Sequence, residues 1–124
     1  MEVMVVGKCL SSVRVNTKIG SFNGIWCSPD PTLFKKYNVE LDCDEALKPD
    51  DIDISRYGTP SIDSFNGSIY ITGMLENIQD NVMTLRLHES IMMVEISSNP
   101  MISDCVGTYI RIKLNEVKLY DTGI

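Results

Sequence analysis

The chain is short of the residues that most often carry chemistry. It has one histidine, His88, and four scattered cysteines, Cys9, Cys27, Cys43 and Cys105, in 124 residues. None of the cysteines stands in a Cys-x-x-Cys spacing. Zinc needs clustered thiolate and imidazole ligands, so no metal site is expected. Cations are also scarce. Eleven Lys and Arg face 17 Asp and Glu, for a formal net charge of −6. Affinity for nucleic acid rests mostly on Lys and Arg, so a nucleic-acid partner is disfavoured. An acidic balance favours solubility and basic partners instead. No Gly-x-Ser-x-Gly and no P-loop occur. His88, Glu89 and Ser90 are adjacent in sequence, where side chains point in different directions, so they do not make a triad. No cofactor and no catalytic residue are expected.

No apolar run approaches the roughly 20 residues of a membrane span. The segment Met1–Gly7 carries an acid at Glu2 and only a brief apolar run, unlike a signal peptide. Two disulfides are possible in principle. The expectation is a cytoplasmic protein with free thiols, the cysteines serving as small core residues. Asn66-Gly67-Ser68 matches a glycosylation acceptor, but no secretory signal gives the match meaning.

What is present is a strong alternation. Over Gly67–Glu76, Val82–His88 and Ile91–Ile96, apolar and polar residues alternate with a period of two, which places one set on each face of a sheet. The links Asn77–Asn81 and Glu89–Ser90 are short and polar, as hairpins require. Thr108–Leu114 and Val117–Asp121 read as a final hairpin around Asn115-Glu116. Met4–Val15 reads as strand, in one or two pieces, with Gly7 as a bulge or sharp bend. Phe22–Ser28 is a further strand carrying the only tryptophan, Trp26, read as a core anchor or, alternatively, a stacking platform. Asp30 and Pro31 suit a helix N-terminus, so a short helix is expected over Thr32–Tyr37. Val39–Cys43 reads as a strand, and Arg56–Asn66 as an exposed loop. Asn99-Pro100 to Val106 is expected to interrupt the C-terminal strands. The length fits one domain, residues 1–124. The expected fold is mainly β: a small antiparallel barrel similar to the OB-fold, or a curled sheet, with one short helix.

Two groups of residues are candidate sites. The first is acidic: Asp42, Asp44, Glu45, Asp50, Asp51 and Asp53, close together with Glu40 and relieved by one cation, Lys48. The calcium-loop pattern fails here, because Leu47 stands where the turn glycine belongs. Acid–base work by paired carboxylates would need facing positions in a cleft. A solvated acidic loop and a negative surface for a basic partner are the remaining readings. The second group is Tyr109, Arg111, Lys113, Lys118 and Tyr120, expected on one side of the final hairpin. Basic residues interleaved with tyrosines resemble a single-strand binding platform. An ordinary solvent face with cross-strand pairs is the alternative.

The runs Thr72-Gly73-Met74-Leu75-Glu76, Leu85-Arg86-Leu87, Gly107-Thr108-Tyr109-Ile110 and Leu119-Tyr120-Asp121-Thr122 resemble those of small acidic bacterial immunity proteins of contact-dependent and other polymorphic toxin systems. The resemblance implies a non-enzymatic inhibitor that binds one cognate protein toxin. It supplies no binding residues by motif. Charge adds that such a toxin would be basic, steered to the acidic group. The alternative is an OB-like nucleic-acid or ligand-binding module using the Tyr109–Tyr120 face.

Overall fold

Antiparallel meanders of alternating residues build both halves of the molecule. In the computed structural model, which describes residues 1–98 and 101–124, β1 (Glu2–Cys9), β2 (Ser12–Thr17) and β3 (Gly20–Trp26) form the first. β4 (Lys36–Asp42) pairs with β1 on its other side. Two short strands follow: β5 (Ile52–Ile54), behind a single 3-10 turn at Pro49–Asp51, and β6 (Ser61–Phe65). β7 (Ser68–Gln79), β8 (Val82–Leu87) and β9 (Ser90–Glu95) form the second meander. A 3-10 turn at Ile102–Cys105 leads to β10 (Tyr109–Leu114), which pairs with β7, and then to β11 (Lys118–Asp121). The protein is mainly β, with a closed five-stranded barrel, β1-β2-β3-β11-β4, beside a second sheet, β5-β10-β7-β8-β9.

The two halves repeat one design. β1 shifts register between Val5 and Gly7, as β7 does between Leu75 and Asn77. Val5 faces Val15, and Leu75 faces Leu85. The turns that follow β1 and β7 hold Leu10 and Asp80 at φ 56° and 53°. The approach to the fourth strand repeats as well. Phe34 N–H donates to Val5 C=O and Gly107 N–H to Leu75 C=O, with Phe34 at φ 63° and Gly107 at 91°. Trp26 N–H donates to Ser11 C=O just as Ile96 N–H donates to Asn81 C=O, both at 2.8 Å.

The closing strands are exchanged between the halves. β11, from the end of the chain, runs parallel to β3 and antiparallel to β4, closing the barrel. The segment from Leu47 to Ile54, from the first half, closes the second sheet. Leu47 bridges Ile96 in parallel, and β5 runs antiparallel to β10. The matching hydrogen bonds are Cys27 N–H to Leu119 C=O at 2.9 Å and Ser97 N–H to Leu47 C=O at 2.8 Å. Leu119 and Leu47 are therefore counterparts, and both are buried. One continuous core joins Val5, Phe22 and Leu119 to Leu75, Met92 and Ile112. Trp26 belongs to it, edge-on to Tyr37 with ring centroids 5.1 Å apart.

Several expectations are corrected. Thr32–Tyr37 is not a helix. A turn at Leu33-Phe34 leads straight into β4, because Val5 exchanges hydrogen bonds with Phe34 and Lys35 and draws the segment into the barrel. The only helical pieces among the described residues are the two 3-10 turns. β10 and β11 do not form a hairpin. Val117 and Leu119 are buried in the barrel instead, and β11 crosses to it. The expected loop Arg56–Asn66 contains β6, which pairs with the start of β7. Gly7 does mark a bulge. Of the interrupting segment, Asn99 and Pro100 lie outside the described residues; Ile102 is buried and Met101 exposed.

Candidate functional site

A groove opens where the exchanged strand of the barrel meets the second meander. It lies between β4 and β9, is lined by Glu40, Leu41, Asp42, Ile91, Met93 and Tyr120, and has a volume of about 520 Å³. Alternation explains the lining. β9 buries Met92 and Val94, so Ile91, Met93 and Glu95 face outward. On β4, Val39 and Leu41 are buried while Glu40 and Asp42 project to solvent. β11 sets Tyr120 opposite Glu40. Ile91 is 46% exposed and Met93 57%, so two large apolar side chains stand in water beside two carboxylates. Isolated exposed apolar residues are ordinary; a group of them gathered in a groove with an acidic rim is not. The Tyr120 hydroxyl is pushed above its usual pKa by partial burial and by its contact with the Cys27 thiol.

One wall of the groove, β9, is an edge strand, and the other, β4, is open on one side where it runs past the end of β1. Val39 N–H donates to Met1 C=O, so Val39 turns its backbone toward β1, and two residues on Leu41 turns the same way. On β9, Glu95 C=O accepts from Leu47 N–H, away from β8. Alternation then points the backbone of Met93 and Ile91 to that same side. Among the described residues, no strand pairs with this side of Ile91–Met93 or with Leu41 beyond the Met1–Val39 contact.

The acidic group divides. Asp42 lines the groove, and its carboxylate accepts the Cys43 N–H at 2.9 Å. Asp44 is ion-paired with Lys118, whose ammonium is thereby held above its usual pKa. Glu45 accepts both the N–H and the side-chain amide of Asn115, at 2.7 and 3.0 Å. These two acids fasten the loop after β4 to the start of β11 and to the β10–β11 connection. Asp50 and Asp51 sit in the 3-10 turn, where Asp51 accepts the Lys48 N–H at 3.1 Å. Asp53 is on β5, opposite Arg111. Cys43, within the acidic run, has its thiol raised to about 11, mainly by burial.

The basic and aromatic group is split. Tyr109, Arg111 and Lys113 lie on β10 in one sheet, and Lys118 and Tyr120 on β11 in the other. Arg111 is stacked over the Tyr70 ring, 4.5 Å from its centroid. Lys118 is committed to Asp44. Only Tyr120 of the five reaches the groove. Sequence reasoning missed Glu40, Ile91 and Met93 as site residues. The available signal was that Ile91 and Met93 share a strand face with Glu95.

Among the described residues, no group of three or more His, Cys, Asp and Glu is placed to hold a metal ion. Among them, too, no helix is long and apolar enough to cross a membrane. Comparison of the chain with protein-family models, curated proteins and solved structures finds no match.

Proposed function

We propose that the protein acts by binding a basic protein, as an immunity-type inhibitor that covers the active site or substrate-binding face of a cognate toxin. The observation that carries this reading is the groove itself, where exposed Ile91, Met93 and Tyr120 share the lining with Glu40 and Asp42. An interface needs apolar surface to remove from water and a charged rim to select and steer its partner. The groove offers both. The net charge of −6 extends the steering field beyond the contact. Within the acidic group the proposed contact narrows to Asp42, joined by Glu40: Asp44 and Glu45 already hold the fold together, and Asp50, Asp51 and Asp53 lie outside the groove lining. The test is a pull-down at low salt from the native cells, with the captured protein then expressed alone and together with this chain. A stoichiometric basic protein whose toxicity this chain suppresses supports the reading. Nucleic acid in the eluate without such a protein contradicts it.

A further inference from the structure

We infer that the groove between β4 and β9 seats an extended, basic segment of the partner protein as an added strand along β9. The inference rests on the binding reading above and supplies its mode. Its ground is the internal repeat. β3 is the counterpart of β9, and the same edge of β3 is covered. β6 lies along it: Ile62 N–H donates at 2.9 Å to the C=O of Ile19, in the turn that leads into β3, and the Asn23 N–H of β3 donates at 3.2 Å to the side-chain hydroxyl Ser64 Oγ. Asn23 is the counterpart of Met93, because Val15 faces Phe22 as Leu85 faces Met92. In the second half the wall opposite is also covered: Leu114, the counterpart of Leu41, pairs with Ile69 of β7. One seat is thus filled by the chain's own strand, while the matching seat keeps its backbone donors and acceptors open toward the groove. A strand added to an open edge binds through those backbone groups, with alternate side chains giving specificity.

The lining states the chemistry of the occupant. At the filled seat the cleft is bordered by the cation Arg14 and by two neutral polar residues, Asn23 and Asn115. At the open seat the counterparts of the two asparagines are Met93 and Asp42. Lys113 of β10 is replaced by Glu40 of β4. The open seat therefore calls for apolar side chains against Ile91 and Met93, and cations against Glu40 and Asp42. A second copy of this chain, itself at −6, meets the groove with like charge.

The probe is a disulfide-cyclised hairpin peptide of alternating Lys and Val, titrated into the full chain labelled with ¹⁵N. Two control peptides carry Glu in place of Lys, or N-methyl groups along one docking edge. The expected result is amide shifts concentrated at Leu41, Ile91 and Met93. Affinity should fall at least tenfold for both control peptides, and likewise for the exposed-site variant Met93→Lys. Shifts centred on the Asp50–Asp53 turn would overturn the inference, as would no binding or indifference to N-methylation. Protection of the same amides by dimerisation of the free chain would overturn it too. The pull-down judges the binding reading separately. A captured toxin whose affinity ignores Met93→Lys leaves that reading standing and removes the added strand.

Discussion

Truncating Leu47 to alanine should destabilise the whole molecule, and not only the second half, whose sheet Leu47 closes from the first half of the sequence. Leu47 is 1% exposed and Leu119 fully buried, and each closes the sheet of the other half. Removing a buried leucine side chain costs about 2–5 kcal/mol, depending on how far the cavity collapses. Little collapse is available around Leu119. A methyl placed on Gly24 would meet its Cδ1 at 2.8 Å, so the leucine sits directly on the β3 backbone. We take about 3 kcal/mol for either variant. Unfolding entropy is about 2.1 cal/mol/K per residue, or about 260 cal/mol/K for this chain, so Tm should fall by about 12 °C. The assay follows both halves in one melt. Trp26 fluorescence reports the barrel, and the methyl signals of Met83 and Met92 report the second meander. Both probes should move together in Leu47→Ala and in Leu119→Ala, because exchanged strands make the core one cooperative unit. A loss of less than about 1 kcal/mol would refute the reasoning, given that exposed positions change stability by only about 0.5 kcal/mol. So would a Leu47→Ala melt in which the methionine signals shift and Trp26 does not.

Three further outcomes follow from particular contacts. Gly20 sits at φ 141° with its missing Cβ position 1.9 Å from the Ile62 carbonyl oxygen, so Gly20→Ala should cost about 3 kcal/mol in a denaturant melt, the upper end of overpacking costs. Cys43 should be slow to react with a thiol-specific disulfide reagent at pH 8, where about one thiol in a thousand is ionised for a pKa of about 11. Its rate, followed by mass spectrometry, should rise about tenfold per pH unit up to that value, while exposed Cys9 is modified well before it. Glu76 accepts two hydrogen bonds from Arg86, at 2.6 and 3.3 Å, which hold its carboxyl below the usual range. A lowered folded pKa gives stability that is present above the unfolded value, about 4.3, and lost as pH falls through the folded one. Glu76→Gln should therefore lower Tm at pH 7 and leave it unchanged at about pH 2.

Much of the architecture was legible from period-two alternation. Met83, Leu85 and Leu87 announce β8, and Ile110, Ile112 and Leu114 announce β10, because each strand has one face in the core. β5 and β6 were not legible. They are short and mostly exposed, and β6 buries only Ile62 among its five residues, so pairing and not pattern makes it a strand. The Thr32–Tyr37 helix failed because capping signals at Asp30 and Pro31 are local, whereas Val5 holds Phe34 and Lys35 from across the barrel. The repeat left little trace in residue identity. Val15 and Leu85, or Phe22 and Met92, share burial and nothing else. The exchange of closing strands is invisible to any local pattern, since β11 has the same alternation whether it pairs with β10 or with β3. The acidic group was visible as composition. What separates Asp42 from Asp44 and Glu45 is their partners, Lys118 and Asn115, from the far end of the chain.

The most direct test of the account is amide hydrogen exchange at Leu41, Ile91 and Met93, in the free protein and in complex with the partner captured from native cells. The account predicts fast exchange at all three in the free protein, where their N–H groups face the groove, and marked slowing on binding while Asp50, Asp51 and Asp53 stay unchanged. Protection already present in the free protein, or slowing confined to the Asp50–Asp53 turn, would contradict it.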